Sequence, residues 1–357
     1  MSSVSSVSLN LTRVPFTDLV DLALERVGGK ALFANDDFFA PKENLLKQGR
    51  AIFIPDKFTE NGKWMDGWES RRKRGPGHDW CLIKLGMPGV IRGLNVDTDF
   101  FIGNFPDYCS VDATQVDAAT QAAVEATDQD LVKANWTEIL PKTRLNGGTQ
   151  NLFPVLNQER WTHLRLNIYP DGGVARFRVH GEVKPDWSSL VQSGQAVDLG
   201  AVENGGTVVA CNDSFFGTKD NLIMPGRSVN MGDGWETRRK RVPGFDWLVA
   251  KLGAAGTIQK IEVDTNHFKG NFPDRCSIEG CYLPGKEILP VDLTNPSSEI
   301  SWQTILPETK LQAHFRHFFE SELKAKGPFT HVKLNIFPDG GVSRLRVHGL
   351  PVLGEKS

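Results

Sequence analysis

Cysteine is scarce in this sequence, and its five cysteines have no spacing that would give them a joint role. They are odd in number and include no CxxC pair. A disulfide framework or a cysteine-based zinc site is therefore not expected, and reduced thiols in a cytoplasmic protein are the simpler interpretation. Long apolar runs are missing too. No segment approaches the roughly 18 consecutive apolar residues of a membrane-spanning helix, so no membrane partner is expected.

An excess of charge of one sign is also absent. The 41 Lys and Arg residues oppose 43 Asp and Glu residues, which leaves a formal net charge of −2. This balance provides no long-range field to attract a polyanion, so nucleic acid is not expected as a partner.

Several familiar chemical motifs are missing as well. The sequence contains no HxxxH or HxH pair, no glycine-rich phosphate loop and no GxSxG nucleophile elbow. No cofactor is therefore predicted. Asp97 and Asp99 alone are a weak pair of possible metal ligands, but the sequence argues only weakly against a metal requirement, which stays open.

What the sequence does contain is one module written twice. Residues 66–80 and 233–247 share 12 identities in 15 positions, and residues 162–181 and 330–349 share 15 in 20. Three weaker blocks recur in the same order; they begin at Asn35 and Asn212, at Gly103 and Gly270, and at Trp136 and Trp302. The sequence therefore predicts a first repeat over 1–181, a linker over 182–196 and a second repeat over 197–357. Ten extra residues lie between Arg50 and Met65 in the first copy.

The apolar runs in each copy are short and alternate with polar residues. Residues 162–168 and 174–179 show this period of two, which is typical of strands with one wet face. The Pro-Asp-Gly-Gly sequence at 170–173 predicts a hairpin turn between them. Helices are expected to be few, with candidates at 113–125 and 314–326. The fold class predicted is mostly β, with a sandwich or jelly roll in each half.

The densest group of chemically useful residues surrounds Trp68 and Trp235. Each tryptophan is followed by one carboxylate, Glu69 or Glu236, and then by a run of arginine and lysine. A guanidinium can grip a small carboxylate or ureido group through a planar, two-pronged contact. The alternative is a surface strand whose charges pair with one another and contribute little energy.

The two copies also differ at titratable positions. His78 is matched by Phe245, and Asp99 is matched by Asn266. If only one copy is active, the copy that keeps these groups is the better candidate, so the differences favour the first repeat.

The doubled DGWE[ST]RRKR and LNI[YF]PDGGV motifs closely resemble those of the allantoicase family, and the resemblance covers nearly the whole chain. It implies jelly rolls related to galactose-binding domains in each half. It further implies hydrolysis of allantoate to ureidoglycolate and urea, in allantoin and purine degradation. A cytoplasmic location and a homo-oligomer are implied as well.

This reaction suggests roles for the repeated residues. Releasing urea requires a group that moves protons, a cation for the substrate carboxylate and acceptors for the ureido N–H groups. The predicted catalytic residues are Glu69, Glu236, His78 and Asp99, and the predicted substrate-binding residues are Asn35, Asp36, Arg72, Arg176, Asn212, Asp213, Arg239 and Arg344. Two other functions stay open: a jelly-roll protein that binds a ligand or carbohydrate without catalysis, and a metal-assisted amidohydrolase that acts on allantoate.

Overall fold

The structure is a computed structural model that describes residues 15–116, 131, 134–286, 288, 292–293 and 300–352. The chain divides into two compact units between Lys184 and Pro185. The short α-helix Trp187–Gln192 lies within the segment that the sequence predicts as a linker.

Strands are the main regular elements of the first unit. They are β1 (Val20–Asp21), β2 (Lys30–Ala34), β3 (Phe58–Thr59), β4 (Gly62–Lys63), β5 (Trp68–Glu69), β6 (Asp79–Asp97), β7 (Tyr108–Thr114), β8 (Thr137–Arg144), β9 (Gln150–Pro154), β10 (Arg160–Tyr169), β11 (Gly173–Val174) and β12 (Arg176–Val183). Short 3-10 helices cover Pro15–Asp18, Glu25–Val27 and Lys42–Leu46. The ten extra residues of this copy contribute the β3–β4 hairpin.

The second unit repeats this order with ten strands. They are β13 (Val197–Asp198), β14 (Thr207–Cys211), β15 (Trp235–Glu236), β16 (Asp246–Asp264), β17 (Arg275–Cys281), β18 (Gln303–Lys310), β19 (Arg316–Phe319), β20 (Phe329–Phe337), β21 (Gly341–Val342) and β22 (Arg344–Pro351). Its 3-10 helices cover Val202–Asn204, Lys219–Ile223 and Met231–Asp233.

One long strand organises each unit. In the first unit the main path of the eight-stranded sheet is β1-β12-β6-β10-β7-β8, and β2 and β9 also pair with β6. The first half of β6 pairs with β2 and β10, whereas its second half pairs with β9 and β12. The second unit has the same antiparallel plan around β16. The prediction of a mostly β fold in two repeated units is confirmed.

The alternation of apolar and polar residues in 162–168 determines which side chains of β10 lie in the core. Leu164, Leu166 and Ile168 are fully buried, as expected for the apolar face of a half-buried strand. On the opposite face Arg165 is partly buried, and Asn167 is only 3% exposed. The face predicted to be wet is therefore partly covered, and it carries the polar cleft described below.

Two local predictions are wrong. Residues 170–173 do form a turn, but β10 and β12 are not a hairpin, because β6 lies between them. Gly173 and Val174 pair with β5 instead, and Ser70 N–H donates to the Gly172 carbonyl. The segment 314–326, predicted as a helix, contains the strand β19 at Arg316–Phe319, which pairs with β16, and its remaining residues are not helical. Most of the other helix candidate, 113–125, lies outside the described residues.

The turn at 170–173 requires glycine at position 172. The φ of Gly172 is 139°, which is unfavourable for residues with a side chain. A Cβ there would also lie 2.7 Å from the backbone nitrogen of Pro106. Gly340 has the same conformation and the same crowding in the second unit.

Candidate active site

The tryptophans of the doubled motif are structural anchors. Trp68 and Trp235 are fully buried. The Trp68 indole N–H donates to the Asp36 carbonyl oxygen at 2.8 Å, and that of Trp235 donates to Asp213 at 2.7 Å. In each unit this bond fastens the motif to the loop after the second strand.

The carboxylates of Asp36 and Asp213, predicted to bind ureido groups, are engaged by the motif's first arginine. Arg71 Nε donates to Asp36 at 2.7 Å, and Arg238 Nε donates to Asp213 at the same distance. Burial is the largest single influence and raises the pKa of Asp36, but the hydrogen bonds and charge of Arg71 together with the Phe38 N–H outweigh it and lower the pKa. The pKa of Asp213 is lowered in the same way by Arg238. Their ureido-binding role stays a prediction.

Asn35 and Asn212, the other predicted ureido-binding residues, hold the start of the long strand. The Asn35 amide donates to Asp79 Oδ1 at 3.0 Å and accepts from the Trp80 N–H at 2.8 Å. It also donates to the carbonyl of His78 at 3.3 Å. Asn212 makes the equivalent bonds in the second unit. The side chain of Asn35 therefore positions the backbone of the residues that follow the motif.

Glu69, predicted to be an acid or base, has an environment that suits proton transfer. Its carboxylate is partly buried and accepts from Asn104 Nδ2 at 2.7 Å. Burial raises the pKa of Glu69, although the Asn104 hydrogen bond opposes the shift. Glu236 accepts from Asn271 in the same manner. The catalytic role of either carboxylate stays a prediction.

Arg176 and Arg344, predicted to bind the substrate carboxylate, lie in the interior. They are 3% and 2% exposed. Arg176 Nη2 donates to Asp66 at 2.7 Å, and Arg344 Nη2 donates to Asp233 at 2.9 Å. A structural role accounts for these contacts, and binding a substrate would require breaking them.

Arg72 and Arg239, the other predicted carboxylate-binding residues, are exposed on the surface. Within the described part of the chain, neither guanidinium has a hydrogen-bond or ion-pair partner. Of the four predicted arginines, these two can meet an anion without the loss of an interior ion pair. That role stays a hypothesis.

The structure does not bring Asp99 and His78 together through any contact among the described residues. The Asp99 carboxylate accepts from Arg50 Nε at 3.1 Å, and its backbone N–H donates to Asp97 Oδ1 at 2.9 Å. Burial raises the pKa of Asp97, and the charge of Asp99 adds to the shift. His78 lies elsewhere, at the entry to β6.

His78 lies at the wall of a polar cleft of about 240 Å³ in the first unit. We call this the first-repeat cleft; it is lined by His78, Trp80, Ser110, Asp112, Glu138, Arg165, Asn167 and Tyr169. One water needs only about 10–15 Å³ of such space, so the cleft has room for a small metabolite.

Its floor is a connected hydrogen-bond network. Arg165 donates to Asp112 Oδ2 from Nε at 3.0 Å and from Nη2 at 2.9 Å. Asn167 Nδ2 donates to the same oxygen at 2.9 Å and to Ser110 Oγ at 3.0 Å. Ser110 in turn bonds the Tyr169 hydroxyl at 3.0 Å. These bonds fix the orientation of the polar groups before any ligand binds.

Sequence reasoning missed most of this cleft. The alternation identified Arg165 and Asn167 only as members of a wet face. Their partners Asp112 and Ser110 lie on β7, which pairs with β10 far along the chain. One signal was available: Tyr169 becomes Phe337 in the second copy, just as His78 becomes Phe245.

No group of three or more His, Cys, Asp or Glu side chains among the described residues could hold a metal ion. Among the same residues, none of the helices has the length and apolar content needed to cross a membrane.

Comparisons with known proteins agree on one family. The model of the allantoicase repeat matches this chain twice, over residues 20–184 and 197–352. The probable allantoicase 1 of Burkholderia mallei is 51% identical over 331 residues, covering 92% of this chain and 94% of that protein. A probable allantoicase of Pseudomonas aeruginosa is 46% identical over 345 residues, covering 97% of this chain and all of that protein.

A solved structure extends the agreement to three dimensions. The crystal structure of allantoicase from Saccharomyces cerevisiae matches with a TM-score of 0.72 and 36% identity, covering 93% of each chain. The resemblance first seen in the doubled motifs is confirmed, and the chain belongs to the allantoicase family.

Proposed function

We propose that this chain is an allantoicase, a hydrolase that converts allantoate and water to ureidoglycolate and urea. The observation that carries the proposal is the family match in both repeats, at 51% identity to a probable allantoicase across more than nine-tenths of both chains. The substrate is a small anion with two ureido groups on one saturated carbon. Its hydrolysis needs no acyl nucleophile, so the absence of such motifs from the sequence is expected.

The direct test is to incubate the purified full chain with allantoate and measure urea and ureidoglycolate by NMR. Release of both products in equal amounts is expected. Allantoate binding seen by calorimetry, with no urea, would instead favour the non-catalytic ligand-binding alternative. Activity that disappears after chelation and returns with a divalent metal would favour metal-assisted hydrolysis.

Glu69 and Glu236 are two of the predicted candidates for the residue that moves protons in this reaction, because each carboxylate is partly buried and accepts from an asparagine amide; His78 is another. General acid–base groups contribute about 10²–10⁴-fold to rate. Glu69→Gln and Glu236→Gln keep the size and the oxygen that accepts from the neighbouring asparagine. Loss of turnover in one variant alone would identify the working carboxylate. Full turnover in both folded variants would contradict the assignment.

A homo-oligomer is proposed from exposed apolar side chains in the first unit. Phe58 and Ile102 are 67% and 76% exposed. Phe53 and Phe100 stack with ring centroids 5.6 Å apart, and both are also exposed. Grouped exposed apolar residues often mark interaction surfaces. Light scattering should return a multiple of the monomer mass; a monomer at micromolar concentration would contradict this proposal.

A cytoplasmic location is also proposed, from the family resemblance and the five free cysteines. Fractionation of cells that express the full chain should recover it with cytoplasmic marker enzymes.

A further inference from the structure

The hydrogen-bond network at the floor of the first-repeat cleft has a counterpart within the second unit. In the second unit Asn335 Nδ2 donates to Ser277 Oγ at 3.1 Å and to Glu279 Oε2 at 3.0 Å. Lys333 pairs with Glu279 at 3.6 Å, as Arg165 pairs with Asp112 in the first. The amide, the hydroxyl, the carboxylate and the cation are therefore all present in both copies.

The walls differ. In the first unit the rings of His78 and Tyr169 pack with centroids 4.6 Å apart. The same two positions, one before the long strand and one at the end of its neighbour, hold Phe245 and Phe337 in the second, 4.9 Å apart. The ring packing is retained, but the imidazole and the phenol are gone.

A second difference concerns charge. Glu138 lies beside Asp112 on β8 and lines the cleft. The residue paired in the same way with Glu279 is Thr304. The first unit thus combines an imidazole, a phenol and an additional carboxylate around this network, whereas the corresponding described positions of the second unit hold Phe245, Phe337 and Thr304.

Lys73 of the doubled motif holds residues that lie next to His78 and Tyr169 in the sequence. Lys73 Nζ pairs with buried Asp79 at 2.7 Å, next to His78. The Lys73 backbone N–H donates to Asp171 at 2.7 Å, two residues after Tyr169. Asn35 also donates to the carbonyl of His78, so the backbone next to both aromatic residues is held by hydrogen bonds or ion pairs.

We propose that the reaction takes place in the first-repeat cleft, with His78 as the proton-transfer residue and Arg165 as the group that binds the substrate carboxylate. The inference rests on the proposed function and assigns its site to one repeat. Among the described residues none is hydrogen-bonded to the imidazole nitrogens of His78, so both can meet a ligand. Asp112 and Glu138 supply acceptors for the N–H groups of a ureido substituent.

One imidazole can carry out both proton transfers of the chemical step. The bond between the central carbon and one ureido nitrogen breaks, and its electron pair leaves with the nitrogen. Water forms the new C–O bond and gives one proton to neutral His78. The imidazolium returns one proton to the leaving nitrogen, which completes urea, so the enzyme ends as it began.

The decisive variants replace first-repeat residues with those of the second. His78→Phe copies Phe245 and should lower kcat by about 10²–10⁴-fold with little change in KM. Arg165→Lys copies Lys333 and should raise KM about tenfold or more, because it removes the Nη1 and Nη2 hydrogens that are not donated to Asp112 and that can contact the substrate carboxylate. The matched control, Phe245→Leu, perturbs the second unit and should leave kcat within about twofold of the parent value.

Controls separate folding from chemistry. Circular dichroism and melting temperature should match the parent, and His78→Gln replaces His78→Phe if the latter does not fold. Retention of more than about a tenth of kcat in the folded His78 variant overturns the proposal, since a proton-transfer group contributes more than that. An equal loss of kcat in Phe245→Leu also overturns the proposal. A loss of kcat in Glu69→Gln that His78→Phe does not share overturns it as well.

Binding distinguishes this proposal from the proposed function. Ureidoacetate carries one carboxylate and one ureido group but cannot release urea in this reaction. Calorimetry should show that it binds the parent and His78→Phe and is weakened by Arg165→Lys. If the parent releases no urea from allantoate but shows this binding pattern, the proposed reaction fails and the binding site stands. If ureidoacetate binding is unchanged in Arg165→Lys, the site is wrong.

Discussion

The first and second repeats have closely similar hydrogen bonds and ion pairs around the doubled motif. They differ in the side chains that line the first-repeat cleft and in those at the corresponding positions of the second unit. The indole bond of the motif tryptophan is 2.8 Å in one and 2.7 Å in the other. The ion pair from the motif lysine to the first residue of the long strand is 2.7 Å in both. Yet the imidazole and phenol of the first cleft have only phenylalanine counterparts in the second.

This contrast changes how a doubled motif should be interpreted. Residues that both copies keep, such as Trp68, Asp36 and Asn35, make hydrogen bonds that recur in both units and hold the motif and the start of the long strand in place. Residues that one copy has replaced without loss of packing are the better candidates for chemistry. In an internally duplicated chain, differences between copies are therefore more informative about the active site than identities.

The largest expected effect tests whether the buried arginines belong to the framework. Arg176→Met and Arg344→Met each leave a nearly buried aspartate without its guanidinium, and breaking such a pair costs about 3–5 kcal/mol. Urea unfolding should show a similar loss in both variants. If Arg176 binds substrate, as the sequence predicts, the remaining folded Arg176→Met protein will have lost activity that Arg344→Met keeps. Equal activity per folded molecule would break that prediction.

An intermediate effect separates positioning from stability. Asn35→Ala and Asn212→Ala remove equivalent hydrogen bonds, so each should cost about 1–3 kcal/mol of unfolding free energy. Only Asn35 holds the backbone of His78. We therefore expect kcat to fall about tenfold or more in Asn35→Ala, since a small misplacement of a reacting group is costly, and to change little in Asn212→Ala. Equal kcat in the two variants would show that the repeats contribute alike.

The smallest effect is a pH dependence at Glu69. Because burial raises its folded-state pKa, the stability linked to its neutral form is fully present below the unfolded pKa. That stability is lost as pH rises through the folded value. Glu69→Gln should therefore gain melting temperature relative to the parent as pH rises from 5 to 8, modestly, because the group is partly exposed. A gain independent of pH would contradict the sign, and Glu236→Gln measured alongside shows whether the behaviour is shared.

Much of the fold could be predicted from the sequence because its signals are local. Period-two alternation in 162–168 and the repeated blocks lead directly to two strand-rich units. The helix predicted at 314–326 failed because a strand of Arg316–Phe319 is stabilised by partners more than 50 residues away on β16. The hairpin at 170–173 failed for a similar reason, since β5 pairs with Gly173 and Val174.

The site was less predictable, because its contacts form between strands distant in sequence. The motif identified Glu69 and the arginines by residue type alone, and that information does not distinguish Arg72 on the surface from Arg176 in the interior. Arg165 meets Asp112 only through the pairing of β10 with β7. His78 was predicted as a candidate from its difference from Phe245, which needed no knowledge of the fold.

The pairing of the first strand of each unit with its last also bears on biosynthesis. Val20 on β1 pairs with Gly181 on β12, and β12 in turn pairs with β6. During translation the sheet of the first unit therefore stays incomplete until residues 176–183 have left the ribosome. Such long-range closure is slow compared with local folding and leaves strand edges exposed in the nascent chain. Truncating either end of a unit would remove the same closing pair, so we expect premature chain ends near residue 175 to be captured by chaperones or degraded.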